Sequence, residues 1–272
     1  MFSFDGMKPV DLSPRIKARA YLVDGTIQEG NLDPNGKPWV MVEGRYPGDN
    51  SLFKLFRAPP GGDDVWPHER QTMHHGVYIQ GGGGHISHWS GVPSDMKGLW
   101  QMPADTFMGP AAVCNLTDLN PLPAGKPSSY PRELWLRSFP EGRAKETDLR
   151  GQAICAEHLL DVEVGDIVLL TSPFEGLEQP WLSPETCQWL VEDRKIKLLG
   201  IGPGILWHYQ EKLPAPNNSP VKRIMLGANV PIVHPLVNIN SLTKTRVFYI
   251  SMPLRMTKME ASFTRAIALE QV

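Results

Sequence analysis

Residues 164–201, VGDIVLLTSPFEGLEQPWLSPETCQWLVEDRKIKLLGI, decide the fold class. The run 166–171 (DIVLLT), introduced by the turn Val164-Gly165, is short and apolar and predicts a buried strand. A punctuated helix follows, with Ser183 as N-cap, Pro184 at the first helical position and Glu185 in the first turn. Cys187, Leu190 and Val191 then recur at spacings of three and four. The charged run Glu192-Asp193-Arg194-Lys195 marks the exposed end, and 196–201 (IKLLGI) predicts the next strand. Strand, helix, strand in this order implies parallel strands joined by a right-handed crossover, because a helix can carry the chain back where a tight hairpin cannot.

Working outward, 111–116 (AAVCNL) predicts a strand before this unit, and 230–233 and 247–252 predict two after it. The N-terminal part has turn signals at Asp33-Pro34-Asn35-Gly36, Pro47-Gly48-Asp49-Asn50 and Pro59-Pro60-Gly61-Gly62, separated by short apolar runs such as 39–42 (WVMV). It reads as short strands and extended arms. The expected class is α/β with extra β structure in one domain over 1–272, a loop-rich region at 1–108 leading into a regular α/β part at 109–272. The 25 glycines and 26 prolines among 272 residues fit many turns and argue against a helical bundle, while 41% hydrophobic residues suffice for a substantial core.

Composition also removes function classes. A formal charge of −2, from 27 basic and 29 acidic residues with no basic run, lacks the footprint of a nucleic-acid binder. Cys114, Cys155 and Cys187 are odd in number and show no CxxC spacing, which argues against a disulfide framework and a structural zinc site. The start MFSFDGMKPVDLS has no signal-peptide pattern and no apolar stretch suits a transmembrane helix, so a cytoplasmic protein with no membrane contact is expected.

Several stretches resemble, in order along the chain, the metal-dependent cyclase and kynurenine formamidase family of hydrolases. They are Val10-Asp11-Leu12-Ser13-Pro14-Arg15-Ile16, Gly109-Pro110-Ala111-Ala112-Val113, the strand 164–171, the helix from Leu182-Ser183-Pro184-Glu185 to Trp189-Leu190, Leu226-Gly227-Ala228 with Pro231-Ile232-Val233, and Met252-Pro253-Leu254 through 265–269. The resemblance implies a cyclase-like (swivelling β/β/α) domain with a mixed sheet. It also implies a homodimer or homotetramer, and activity on lactones, lactams or N-formyl amides.

The family signature is a His-x-Gly-Thr-His-x-Asp-x-Pro loop whose imidazoles and carboxylate hold one divalent cation, with a later His as proton acceptor. Family spacing back from Gly109 puts this signature on residues 81–89, GGGGHISHW. Gly81 then stands for the first His, His85 for the second, Ser87 for the Asp and Gly91 for the later His. An upstream register starting at His74 places Tyr78 and Gln80 on the second His and the Asp. Either register keeps a single ligand, and the first fits the downstream spacing better. Further on, the family's His-Arg pair is matched by Lys222-Arg223 and its Glu by His234. A protonated ammonium has no lone pair to give a metal, and its charge opposes a cation at the same place.

No cofactor is therefore expected, and His85, Lys222 and His234 are the candidate catalytic groups. In the functional reading a neutral His moves a proton while Lys222 stabilises an oxyanion or enolate. His74, Tyr78, Gln80, Ser87, His88 and Trp89 are candidates for contacting a small cyclic or cyclisable carbonyl substrate in a cyclase, lyase or ring-opening hydrolase reaction. Two alternatives stay open: a non-catalytic binding or assembly protein with a degenerate cavity, and a metal-dependent amide or lactone hydrolase using His74, His85 and His234. Replacement of ligands by other ionisable groups, rather than apolar filler, favours catalysis. The run Gly81-Gly82-Gly83-Gly84 reads better as a tight turn than as a phosphate loop, since no Lys-Ser/Thr pair follows. Trp66, Trp89 and Trp100 offer an aromatic wall or plain core packing, and His158, His208 and the three cysteines read as structural.

Overall fold

The computed structural model describes residues 6–13, 20–21, 27–28, 78–80, 95–125, 149–207, 220–255 and 261–272. The chain divides into two compact units, residues 1–13 with 78–272, and residues 14–77. Strand β1 (Met7–Asp11) opens the first unit, and β2 (Ala20–Tyr21) and β3 (Ile27–Gln28) form an antiparallel pair in the second. The first unit resumes with β4 (Tyr78–Gln80), β5 (Met108–Asn115), β6 (Ala153–Ile154), β7 (Ile167–Thr171) and β8 (Trp181–Leu182). Helix α1 (Pro184–Glu192), β9 (Leu198–Ile201), helix α2 (Pro220–Gly227), β10 (Ile232–His234), β11 (Arg246–Ile250), β12 (Ala261–Phe263) and β13 (Ile267–Gln271) complete it. The turn signals at 33–36, 47–50 and 59–62 and the run 39–42 lie outside the described residues.

A mixed sheet of nine strands in the order β1-β13-β11-β5-β7-β9-β10-β4-β12 organises this unit. Its centre, β5 to β10, is parallel, and the strands on both flanks pair antiparallel. The expected strand, helix, strand unit is present: β7 and β9 pair in parallel, Ile167↔Leu198 through Leu170↔Ile201, with α1 between them in sequence. Ser183 caps α1 by accepting the Thr186 N–H at 3.1 Å, and the Thr186 hydroxyl donates to the Ile154 carbonyl at 2.6 Å, tying the helix start to β6. At the other end of α1, the N–H of Gly165 donates to the Arg194 carbonyl at 2.8 Å, so the helix C-terminus holds the turn that feeds β7. Gly165 takes φ 84°, a left-handed conformation that suits glycine.

Parallel strands need cover on both faces. Ala112, Cys114, Val168, Leu170, Leu199, Ile201 and Ile232 share a buried core with Cys187 and Leu190 of α1 and Val221, Met225 and Leu226 of α2. The alternate residues Ala111, Val113, Ile167, Leu169, Leu198 and Val233 are buried as well. On that second face a Cβ at Gly200 would come within 2.6 Å of Leu169 Cδ2 and 2.8 Å of Leu236 Cδ1, so glycine lets the segment after β10 lie flat across β9.

Arg246 at the start of β11 binds this frame to the turn before β7. Its Nη2 donates to Asp166 Oδ1 at 2.8 Å and its Nη1 to Asp166 Oδ2, with further bonds to the Asp161 carbonyl at 3.0 Å and Glu163 Oε2 at 3.2 Å. Asp166 is buried and also accepts the Glu163 N–H at 2.8 Å. Removing the guanidinium strands a buried carboxylate. Because Arg246 itself is partly solvated, the loss falls at or below the low end of that for a fully buried pair. Arg246→Ala is expected to lower unfolding free energy by about 2–3 kcal/mol in urea denaturation at neutral pH. A change under about 0.5 kcal/mol would show that the pair is only a surface contact.

Candidate active site

In a parallel sheet the carboxyl ends of the strands are where crossover loops leave room for ligands. His234 is the last residue of β10, at such an end. Side chains alternate along a strand, so His234 shares the face of Ile232, which packs with the helices. The loop after β9 returns to the same place: Leu206 donates its N–H to the Pro180 carbonyl at 2.9 Å and accepts the Leu182 N–H at 3.0 Å, which fixes the backbone just before Trp207. Lys222 comes from the first turn of α2.

These three side chains meet away from bulk water, Lys222 being 6%, His234 4% and Trp207 7% exposed. The rings of Trp207 and His234 lie 4.5 Å apart between centroids at 64°, an edge-to-face contact. The Lys222 Nζ lies 6.0 Å from the Trp207 ring centroid, at the outer limit of cation–π attraction. Burial holds the His234 imidazole well below its ordinary pKa, and the positive charge of Lys222 adds to the effect. His234 is therefore neutral at pH 7, with a ring nitrogen able to take a proton.

Of the residues picked out from the sequence, the structure brings Lys222 and His234 together. Tyr78 and Gln80 form the ends of β4, whose backbone register sets Tyr78 opposite His234 and Gln80 opposite Ile232. His74, His85, Ser87, His88 and Trp89 lie outside the described residues, as do Trp66 and His208. Trp100 has a local role: its ring lies so close to Gly98 that a Cβ there would come 2.1 Å from Cζ3. His158 caps a short turn, its Nδ1 accepting the Cys155 N–H at 2.9 Å. All three cysteines are free thiols; burial pushes Cys114 up to about 12 and raises Cys187 and Cys155, so thiolate chemistry at neutral pH is not favoured. Trp207 was not foreseen, since the short apolar run 205–207 (ILW) carries no local mark of a site.

The family's divalent cation can be tested against the donors present. At the two described family positions stand an ammonium and an imidazole, and the ammonium's charge already works against protonation of the imidazole beside it. The same charge opposes a metal dication. Among the described residues no three His, Cys, Asp or Glu side chains converge on a point. This half of the site does not fit the metal.

The lowered basicity of His234 has a consequence for stability. Below about pH 6.5 the unfolded chain binds a proton that the folded chain refuses, so stability falls as pH drops through that window and is unaffected above it. The slope from this one group is at most about 1.4 kcal/mol per pH unit. His234→Gln is expected to flatten the stability profile between pH 6.5 and pH 5 relative to wild type, measured by urea unfolding at each pH. Parallel profiles would mean that His234 titrates normally.

No protein-family model and no curated protein matches the chain. Solved structures do. One is a potential metal-dependent hydrolase with cyclase activity, at 15% identity and TM-score 0.52, covering 98% of this chain and 99% of its own. Another is isatin hydrolase A from Labrenzia aggregata bound to benzyl benzoate, at 14% identity and TM-score 0.54, covering 98% and 95%. The likeness spans nearly the whole of each chain, and at these identities it establishes the fold: the chain has the cyclase-like α/β architecture of these hydrolases.

Proposed function

We propose that the chain is an enzyme that uses this fold for metal-free acid/base chemistry on a small cyclic or cyclisable carbonyl compound. The observation that carries the reading is the burial of Lys222 and a neutral His234 together at the carboxyl end of β10. A neutral imidazole there can remove a proton next to a carbonyl or deliver one to a leaving group. Lys222 supplies the positive charge that a developing oxyanion or enolate requires, in surroundings dry enough to make it count. The activities named for the two structural neighbours, cyclase and isatin hydrolase, support a substrate of this size and type. Without a metal to acidify water, elimination, isomerisation or cyclisation is favoured over hydrolysis. His85, where the resemblance puts the surviving histidine of the signature, is the candidate for the second proton-transfer step.

A panel of lactones, cyclic imides, N-formyl amides and β-hydroxy ketones tests this. For any member turned over, Lys222→Met and His234→Gln are each expected to lower kcat/KM at least about 100-fold. Both variants turning over at the wild-type rate would sink the assignment. Protein prepared without chelator is expected to hold far less than one zinc or manganese per chain, and dialysis against EDTA to leave the rate unchanged. Near-stoichiometric metal, or loss of activity on its removal, would overturn the metal-free mechanism.

A further inference from the structure

The chain between β9 and Trp207 does not diverge from the sheet as loops at the carboxyl ends of parallel strands commonly do. It runs on beside the end of β7. The Gly202 N–H donates to the Leu170 carbonyl at 2.8 Å and the Ser172 N–H to the Pro203 carbonyl at 3.0 Å, which extends the β7–β9 ladder past its last pair, Leu170↔Ile201. Two buried hydroxyls fasten the same stretch: Thr171 Oγ1 donates to the Pro203 carbonyl at 3.2 Å and Ser172 Oγ to the Gly204 carbonyl at 2.6 Å. Gly204 takes φ 77°, and a Cβ there would come 2.2 Å from the Ser172 carbonyl oxygen and 2.4 Å from Ser172 Oγ, so only glycine admits the approach. Ile205 and Leu206 follow, both buried, with Leu206 bonded to Pro180 and Leu182. Trp207 is the first residue beyond these anchors, and its ring ends against His234.

An imidazole that moves protons needs such a neighbour. The strand end fixes where the His234 Cβ points, but rotation about χ2 of a histidine is broad, so the backbone alone does not choose the plane of the ring. A proton carrier has to aim one nitrogen at the reacting atom, and a misplacement of about 1 Å can cost about 100-fold in rate. Side chains packed against the ring supply that aim. The Trp207 indole stands 4.5 Å from the imidazole at 64° to it, close enough to restrict its rotation. We infer that Trp207 is a positioning residue for His234, and that the Thr171 and Ser172 hydroxyls hold it in place through Pro203 and Gly204. The inference rests on the reading of His234 as an acid/base group and names what aims it. The end of β7 thereby becomes part of the site's machinery, acting on the reaction through Trp207.

Nuclear magnetic resonance of the full-length protein, isotope-labelled in its histidine rings, reads this contact directly, because the ring current of an indole displaces the C–H resonances of an imidazole beside it. The His234 signal is the one missing from His234→Gln. Trp207→Leu is expected to abolish the displacement, and Ser172→Ala, shown folded by circular dichroism, to move the signal at least half of that way. Thr171→Val repeats the test if Ser172→Ala does not fold. Arg246→Ala, which loosens the fold at the turn before β7, should leave the signal in place, so lost stability alone does not mimic the effect. For any member of the carbonyl panel turned over, the hydroxyl variant is expected to lower kcat about tenfold with KM changed less than about twofold, because the aim of the imidazole is lost and not the binding of substrate. A His234 signal that stays in place in Trp207→Leu, or in the hydroxyl variant, overturns the inference. So does a displaced signal with kcat within about twofold of wild type. None of these results touches the acid/base proposal, which falls when His234→Gln and Lys222→Met both keep full activity.

Discussion

The structure depends on a parallel sheet that must be dry on both faces. β5, β7, β9 and β10 offer apolar side chains above and below, and the segments that return the chain between them have to supply the cover. α1 and α2 cover one side; Leu236 and its neighbours cover the other at Gly200, where there is no Cβ to hold them off. A core of this kind leaves few places for polar chemistry. They are the strand ends, where crossover loops diverge, and His234 stands at one of them with Trp207 and Lys222 delivered by the connection from β9 to β10. One connection thus builds the described half of the site: the loop gives the indole, the helix start gives the amine and the strand end gives the imidazole.

Burial makes this group of side chains electrostatically coupled. In water a lysine and a histidine several ångströms apart would hardly notice each other. Here desolvation already disfavours the imidazolium and the Lys222 charge disfavours it further. The influence runs both ways, because any proton gained by His234 raises the cost of one held by Lys222. Lys222 and His234 therefore do not titrate independently. Arg246 and Asp166 show the contrasting solution to the same problem. There the carboxylate accepts two guanidinium bonds and a backbone N–H, so its charge is fully engaged in holding β11 to the turn before β7.

The central strands were legible because burial on two faces writes itself as uninterrupted apolar runs, AAVCNL, DIVLLT and LLGI, and α1 because Ser183 and Pro184 mark its start. What was not legible has physical reasons. α2 starts on a proline as α1 does, but it spans only Pro220–Gly227 and its buried face includes Lys222, so no uninterrupted apolar stripe announces it. β1 and β13 pair Met7 with Gln271; β1 is open along nearly its whole length and β13 is buried only at alternate positions, so neither reads as a core strand. Trp207 owes its place to a loop path fixed by backbone bonds to Pro180 and Leu182, which no local pattern records. Lys222 and His234 were picked out by the resemblance to the family's ligand positions, a route that depends on spacing along the chain rather than on local pattern.

Lysine at position 222 and histidine at position 234 make better sense together than apart. A carboxylate at position 234 beside Lys222 would form a buried ion pair, each charge satisfied by the other. A histidine at position 222 beside His234 would bring two imidazoles together with no fixed positive charge near them. Lysine with histidine avoids both outcomes. The Lys222 charge works against protonation of the neighbouring imidazole, which burial already holds neutral. A metal in the same place would compete with that charge. The two positions thus carry one electrostatic arrangement, a cation built into α2 beside an imidazole kept neutral.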